Sequence, residues 1–223
     1  MISRRRLKWG LPLLMIVAGG ALYAVWPHWT ADPQAQVDRL VELLELPPGA
    51  TAGEVGAGKG RMTLLLARRL GAAGRVFSTE LDSGDLDDLK QTVTDAGVQN
   101  VTVIRGGEQD TQLPAECCDA IFMRRVYHHF THSQNLNASL IKALRPGGRL
   151  AVIDFAPQPW MFWLWRPKGV PDNRGGHGIP PAVLIEELTR AGFVFERRID
   201  NWPGRDYCLV FREPARSAAD AAR

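Results

Sequence analysis

Residues 54–60, Glu-Val-Gly-Ala-Gly-Lys-Gly, are the segment whose residue types and spacing could most plainly bind a ligand. They follow a short apolar run, 50–55, and precede a helix-like run, 62–70. Glycines at every second position let the backbone turn sharply and approach a ligand, and a helix N-terminus presents free N–H groups. Glu80 stands at the end of the next strand-like run, 75–79. A glycine turn after one strand and a carboxylate after the next suit a nucleoside whose ribose hydroxyls need an acceptor.

Two other ligand classes fit this loop less well. A dinucleotide fingerprint, G-x-G-x-x-G, requires a glycine where Arg61 stands. A phosphate loop requires Ser or Thr after Gly-Lys, where Gly60 stands. The remaining pattern, E-x-G-x-G-x-G, resembles motif I of the class I S-adenosylmethionine-dependent methyltransferases. A strand-to-helix turn without a ligand is the alternative.

The resemblance to this family covers about residues 33–212, with several segments in the family's order. It implies a doubly wound, Rossmann-like α/β fold with a seven-stranded, mostly parallel sheet whose last strand is antiparallel. Asp32 begins an amphipathic helix-like run, 32–46, of a kind that often precedes the first strand in this family. The further segments are two strand-like runs, a Pro-Gly-Gly turn leading into a fifth strand, a closing helix and strand, and a Tyr-His-His-Phe motif typical of the family's small-molecule methyltransferases: 101–105, 119–123, 144–155, 179–193 and 127–130.

The resemblance also implies S-adenosylmethionine as the cofactor. Glu54 would orient the loop or help hold the amino group, and Glu80 would accept hydrogen bonds from both ribose hydroxyls. Leu81 would lie beside the adenine. Three glycines would bring the backbone against the methionine portion: Gly56, Gly58 and Gly60.

The adenine contact after the third strand departs from the family pattern. Many relatives carry Gly-Asp there, whereas this chain has Gly107 in place of the acid. Glu108 or Asp110 would replace it, with Glu108 preferred. Asp110 has an equally good alternative role as a turn-stabilising carboxylate.

Three residues after the fourth strand are the catalytic candidates, namely Tyr127, His128 and His129. Methyl transfer from a sulfonium is an in-line displacement that depends mainly on positioning, and a base is needed only where the acceptor loses a proton. A histidine can take such a proton near neutral pH. The alternative is that one histidine caps the next helix while Tyr127 lines the pocket. His128 and His132 are spaced for a metal on a helix, but no third ligand is evident and no metal site is predicted.

Two further groups have open roles. Arg124 and Arg125 replace residues that are apolar or acidic in the resembled sequences, and could bind an acidic acceptor or serve as surface charges. The three cysteines, Cys117, Cys118 and Cys208, include no Cys-x-x-Cys, and adjacent cysteines rarely form a relaxed disulfide. We therefore expect reduced structural thiols.

Composition predicts one folded domain with an appendage. The chain has 223 residues, 45% of them hydrophobic, and a net charge of +3. Four of its basic residues lie in 4–8, so the remainder is nearly neutral and offers no basic surface for nucleic acid. The oligomeric state is not predicted.

A charge-free stretch, 9–31, follows the basic cluster and carries aromatic residues near its ends. It predicts an uncleaved membrane anchor within 1–29, with a cleaved signal peptide as the rival. Charge asymmetry would then place the C-terminal domain outside the cytoplasm, where S-adenosylmethionine is not made; a helix lying in the interface would reconcile the two. A second aromatic patch, 160–165, would be an interfacial surface or a lid over the acceptor.

The predicted organisation is therefore an anchor or signal (1–29), an amphipathic helix and linker (30–50), a methyltransferase domain (51–213) and a disordered tail (214–223). The predicted function is methyl transfer to a small, lipophilic acceptor by a membrane-associated protein. A non-catalytic, membrane-anchored binding module is the alternative, and the third hypothesis is a nicotinamide-dependent oxidoreductase, which Arg61 disfavours.

Overall fold

The computed structural model describes residues 32–157 and 169–214. Within these ranges the chain forms five α-helices and seven strands, with short 3-10 turns at Tyr127–His129 and Asp172–Arg174. The elements are α1 (Pro33–Leu43), β1 (Thr51–Val55), α2 (Arg61–Leu70), β2 (Arg75–Glu80), α3 (Ser83–Asp95), β3 (Val101–Arg105), β4 (Cys118–Arg124), α4 (Ser133–Ala143), β5 (Leu144–Asp154), α5 (Pro181–Arg190), β6 (Val194–Trp202) and β7 (Asp206–Arg212).

The strands form one sheet in the order β3-β2-β1-β4-β5-β7-β6. Neighbours from β3 to β5 pair in parallel, and β7 pairs antiparallel with both β5 and β6. Strand order reverses between β1 and β4, which is the switch point where ligands of doubly wound folds bind. The predicted sheet, including its antiparallel last strand, is confirmed.

Alternating side chains of the central strands supply two cores, one on each face of the sheet. In β4, Ile121 and Met123 belong to one core, whereas Ala120 and Phe122 belong to the other. Successive side chains of a strand point to opposite faces, so a strand buried on both sides reads as a continuous apolar run. This is why the chain carries Ala-Ile-Phe-Met at this point.

The amphipathic helix predicted at 32–46 is present as α1 but ends earlier. Asp32 caps it by accepting a hydrogen bond from the Gln34 N–H at 2.9 Å, and Pro33 occupies the first turn. Glu45 has a left-handed backbone, with φ of 52°, so the helix cannot continue through it.

The cysteine prediction is wrong for one pair. Cys117 and Cys118 form a disulfide in the structure, whereas Cys208 is free and buried as expected. Adjacent side chains of a strand point apart. However, β4 begins only at Cys118, and Glu116 has a left-handed backbone with φ of 50°, so Cys117 belongs to the turn.

The predicted membrane and tail segments lie outside the described residues: 1–29, 160–165, and all of 214–223 except its first residue. Among the residues that the structure describes, no helix has the length and apolar character needed to cross a bilayer.

Candidate cofactor and acceptor site

A cavity of about 380 Å³ opens at the carboxyl ends of β1 to β4, beside the switch point of the sheet. Its volume falls within the roughly 300–1,000 Å³ typical of small-molecule sites. The residues that line it come from the segments following these four strands and from the first turn of α4: Val55, Gly56, Thr79, Leu81, Gly106, Gly107, Glu108, Thr111, Val126, His129, Phe130, Thr131 and Leu136.

The three loop glycines have left-handed backbones but different surroundings. A Cβ on Gly56 would lie 2.4 Å from the Val126 Cγ2 atom, and a Cβ on Gly60 would lie 2.6 Å from the Leu89 Cδ1 atom. No atom would lie within 4 Å of a Cβ on Gly58. Gly56 therefore allows close packing at the cavity wall, Gly60 allows α3 to approach, and the backbone at Gly58 faces open space.

Glu80 lies at the end of β2, where its carboxylate faces the glycine loop. Its Oε2 atom accepts a hydrogen bond from the Gly58 N–H at 2.7 Å. Its Oε1 atom accepts from the N–H groups of Leu81 and Asp82, at 2.7 and 3.0 Å. A carboxylate offers about four acceptor positions. Binding both ribose hydroxyls would therefore require Glu80 to release one of these backbone bonds.

Glu54 lies behind the loop rather than on the cavity wall. Its side chain is buried and accepts hydrogen bonds from the hydroxyls of Thr63, at 2.5 Å, and Ser78, at 3.3 Å. Burial raises the pKa of Glu54 to about 7, against the lowering effect of the two hydroxyls. The contacts tie β1 to α2 and β2, which fits the predicted role of orienting the loop.

Glu108 and Asp110, the two candidates for the adenine contact, differ in their positions. Glu108 lines the cavity, as does Leu81, whose exposed fraction of 47% is large for an apolar side chain. Asp110 instead accepts a hydrogen bond from the Gln112 N–H at 2.6 Å, and its carbonyl accepts from the Gly107 N–H. Asp110 therefore has the turn-stabilising role.

Tyr127 is a core residue, contrary to both of its predicted roles. Its side chain is fully buried, and its hydroxyl donates to Glu187 at 3.0 Å and accepts from the Asn137 amide at 2.8 Å. Arg174 also donates to Glu187, at 2.8 Å. The 3-10 turn that begins at Tyr127 points this ring away from the cavity and into the space between α4 and α5. Burial raises the pKa of Tyr127 far above its usual range.

His128 and His129 differ in their surroundings. His129 lines the cavity, and desolvation, with the neighbouring His128 and His177, lowers the pKa of His129 to about 4. His128 is buried, and its Nδ1 lies 2.8 Å from the Asp154 Oδ1 atom at the end of β5. A carboxylate only accepts, so Nδ1 carries a proton, and in the neutral ring Nε2 then keeps its lone pair. Neither ring caps α4: His132 occupies the N-cap and makes no side-chain capping bond.

Asp154 and His177 were not predicted as site residues. Asp154 is fully buried, and its Oδ2 atom also accepts from the His128 backbone N–H at 3.2 Å. His177 lies between the second 3-10 turn and α5, with its ring centroid 4.9 Å from that of His128. Asp154 could have been predicted as a site residue from its position at the carboxyl end of a parallel strand. No comparable signal marks His177.

The two arginines after β4 have different environments. Arg125 forms an ion pair with Asp206, and so is neither an exposed charge nor a ligand for an acceptor. Arg124 is half-buried, and its Nε atom has no hydrogen-bond partner among the residues of 32–157 and 169–214. Burial, followed by the adjacent charge of Arg125, lowers the pKa of Arg124.

Residues 53–152 match the model of a family described as "Methyltransferase domain". The matched segment begins within β1, ends within β5, and includes the glycine loop, Glu80 and the two histidines. Over residues 53–152 the chain is therefore similar to methyltransferase domains.

Comparisons with known proteins agree with this assignment. Over 145 residues the chain is 25% identical to the ubiquinone/menaquinone biosynthesis C-methyltransferase UbiE of Ectopseudomonas mendocina, covering 65% of this chain and 53% of that protein. The chain thus spans about half the length of the curated relatives it matches.

Solved structures share the fold. A SAM-dependent methyltransferase from Aquifex aeolicus superposes with a TM-score of 0.62 at 24% identity, covering 81% of this chain and 97% of that one. A geranyl diphosphate methyltransferase in complex with SAM gives a TM-score of 0.66 at 14% identity, covering 81% and 85%.

The residues around the cavity fit S-adenosylmethionine, the cofactor of the two solved methyltransferases described above. Leu81 lines the cavity, whereas Gly58, with open space over its backbone, and the Glu80 carboxylate that it contacts lie next to residues that line it. These groups would suit an adenine, a methionine and a ribose. The imidazole of His129 lies at another part of the same cavity wall, after β4. The cavity therefore has a candidate cofactor side, formed by the glycine loop and the end of β2, and a candidate acceptor side after β4.

Proposed function

We propose that this protein transfers a methyl group from S-adenosylmethionine to a small molecule held beside His129. The observation that supports this most is the single cavity, which joins the glycine loop and the β2 end to the segment after β4. Bound S-adenosylmethionine supplies a methyl group already activated on a sulfonium. The methyl moves to a nucleophilic atom of the acceptor as the sulfur–carbon bond breaks, leaving S-adenosylhomocysteine and the methylated product.

The chain's own contribution is mainly positioning. The backbone at Gly58 and the side chain of Glu80 would hold the cofactor, with Leu81 and Glu108 on the adenine side. Glu54, joined to Thr63 and Ser78, keeps β1, α2 and β2 in register beneath the loop. Holding donor and acceptor in line accounts for much of the acceleration in such a reaction.

His129 is the group placed to take a proton from an acceptor that must lose one. It is the only imidazole among the described residues that line the cavity. Its lowered pKa keeps the ring neutral, and hence able to accept a proton, at physiological pH. A neutral ring with so low a pKa is a weak base, so the acceptor we propose is one whose own proton is readily lost.

The acceptor we propose is lipophilic. Apolar side chains dominate the acceptor side of the cavity, namely Val126, Phe130 and Leu136. The relatives from Ectopseudomonas mendocina and Azotobacter vinelandii are described as ubiquinone/menaquinone biosynthesis C-methyltransferases, and a quinone is a ring compound. Arg124, whose Nε is unpaired within the described ranges, would suit an acidic group on such a ring.

We also propose that the protein acts at a membrane, through 9–29 and with the aromatic patch 160–165. The charge-free stretch and its basic flank in the sequence support this. Fractionation of cells that express the full chain, beside a variant lacking 1–29, tests the proposal. Recovery of both proteins in the soluble fraction would contradict it.

The experiment for the main proposal is calorimetric titration of the full chain with S-adenosylmethionine and with S-adenosylhomocysteine, followed by turnover assays with lipophilic phenols. Glu80→Ala should weaken cofactor binding strongly, whereas Asp87→Asn, which changes an exposed carboxylate on α3, should not. Absence of cofactor binding by folded protein would overturn the proposal. Binding without turnover of any acceptor would instead favour a non-catalytic binding module.

A further inference from the structure

We propose that His128, His129 and His177 form a binding site for a divalent transition-metal ion at the acceptor side of the cavity. This inference goes beyond methyl transfer, and the site itself does not depend on it; while an ion is bound, His129 would not be free to take a proton from the acceptor. The three rings meet where the segment after β4 approaches the segment before α5. Their ring centroids lie 4.0 Å apart for His128–His129, 4.9 Å for His128–His177 and 6.0 Å for His129–His177.

The distances between ligand atoms suit one ion. One nitrogen from each imidazole can be chosen so that all three lie within 4.8 Å of one another. A tetrahedral zinc ion with bonds of about 2.1 Å holds its nitrogens about 3.4 Å apart. Closing the difference requires only small rotations, and both His129 and His177 are incompletely buried and have room to make them.

The buried ring of His128 supports the proposed metal site independently of these distances. Its side chain is only 2% exposed, and its Nε2 atom has no hydrogen-bond partner among the described residues. Buried polar atoms are normally paired, so an unpaired nitrogen within a group of imidazoles needs an explanation. An ion bound by the three rings provides it.

Asp154 completes the arrangement that metal sites typically have around a histidine ligand. Its Oδ1 atom binds the His128 Nδ1 at 2.8 Å, and its Oδ2 atom accepts from the His128 backbone N–H. Metal-binding histidines commonly donate their second ring N–H to a carboxylate, which fixes the ring and the tautomer. Asp154 therefore fixes the His128 ring and leaves Nε2 as the nitrogen available to an ion.

The set of three nitrogen ligands indicates the class of ion and the use of the site. Imidazole favours zinc, copper, nickel or iron, whereas magnesium and calcium prefer oxygen ligands. Three protein ligands leave a position of a tetrahedral ion open. That position would face the cavity that His129 lines, so an acceptor oxygen or sulfur could become the fourth ligand.

The test uses the full chain, produced without a polyhistidine tag and dialysed against a chelator. Zinc binding is followed by calorimetry, and cobalt binding by the intensity of its visible d–d bands, which reports tetrahedral nitrogen coordination. The chain has five histidines, so the double variant His28→Ala/His132→Ala retains only the three proposed ligands. It should bind zinc and cobalt as the unaltered protein does.

His177→Ala removes a ligand from a partly exposed loop position, so the fold should be kept. It should abolish the intense cobalt bands. Asp154→Asn should weaken zinc binding by about 10- to 100-fold, as loss of a carboxylate partner does at other sites. Zinc binding that His177→Ala leaves unchanged, or that the double variant loses, would overturn the proposal. Retained S-adenosylmethionine binding in either case would leave the proposed methyl transfer standing.

Discussion

The guanidinium of Arg125 and the carboxylate of Asp206 form two parallel hydrogen bonds, 2.8 Å from Nε to Oδ2 and 2.9 Å from Nη2 to Oδ1. The two residues are 81 positions apart in the sequence and join the end of β4 to the start of β7. The Asp206 side chain is fully buried, and that of Arg125 is 25% exposed. This pair holds Arg125 in its left-handed conformation beside the acceptor side of the cavity.

We expect Arg125→Ala to lower the free energy of unfolding by about 3–5 kcal/mol, because it leaves the Asp206 carboxylate buried without its partner. The matched control is Arg198→Ala, which breaks the exposed pair with Asp200 and should cost less than about 1 kcal/mol. Urea unfolding monitored by circular dichroism measures both. Similar losses in the two variants would show that the Arg125–Asp206 pair does not stabilise the fold.

Glu54 should make stability depend on pH. Its pKa is raised by burial from 4.5 to about 7, so the folded state binds a proton that the unfolded state has released between these values. Its contribution is therefore complete below about pH 4.5 and is lost as the pH rises through about 7. At about 1.4 kcal/mol per pKa unit, the loss is on the order of 3 kcal/mol.

The measurement for Glu54 is urea unfolding across this range for the unaltered protein and for Glu54→Gln. The amide can still accept from Thr63 but does not titrate. The difference in unfolding free energy between the two should therefore change with pH. Parallel profiles would mean that folding leaves the pKa of Glu54 unchanged.

Gly56→Ala should destabilise the loop more than Gly58→Ala. Both positions have left-handed backbones, which cost a residue with a Cβ about 1–2 kcal/mol. Only at Gly56 would the new methyl overlap Val126, at 2.4 Å. The double variant Gly56→Ala/Val126→Ala should recover part of the loss, measured as unfolding free energy against Val126→Ala alone. If the double variant recovered none of the lost unfolding free energy, the loss would come from the left-handed backbone and not from the overlap with Val126.

Tyr127→Phe should change stability rather than catalysis. It removes a hydroxyl that donates to Glu187 and accepts from Asn137, leaving a buried amide without its acceptor. We expect a loss of about 1–3 kcal/mol in unfolding free energy. The methyl-transfer rate constant at saturating substrate should stay within a few-fold of its original value. If that rate constant fell sharply while the variant remained fully folded, Tyr127 would have to act as a catalytic residue.

His129 should remain neutral over most of the accessible pH range. Desolvation and the nearby His128 and His177 lower its pKa to about 4, so activity that needs its neutral ring should be constant from pH 8 to about pH 5. Single-turnover rates in metal-free protein measure this, and His129→Gln should lower the rate constant across the whole range. A decline in the unaltered protein near pH 6.5 would show that the ring titrates normally.

Local patterns in the sequence account for the elements and for the cofactor side of the cavity. Apolar runs located the strands, and the alternation of strands and helices indicated the parallel sheet. The spacing from the glycine loop to Glu80 placed the two on neighbouring strand ends, where the Gly58 N–H contacts the Glu80 carboxylate. These features depend on residues close in sequence or on the fixed geometry of a β-α-β unit.

The acceptor side could not be predicted in the same way, because its contacts join distant segments. Asp154 meets His128 across 26 positions, and His177 reaches both histidines from an irregular segment before α5. Periodicity carries no information about such contacts. The inward direction of Tyr127 was missed for a related reason: a short 3-10 turn does not continue the alternation of the strand before it.

The position of β7 affects how the protein can be made. The last of the described strands to leave the ribosome lies inside the sheet, paired with β5 on one side and with β6 on the other. Until residue 212 has emerged, the nascent chain presents the edge of β5, with Leu150 and Val152, to its surroundings. Such an edge invites pairing with other chains. Translation speed and chaperone access while β6 and β7 are being synthesised therefore bear directly on the yield of folded domain.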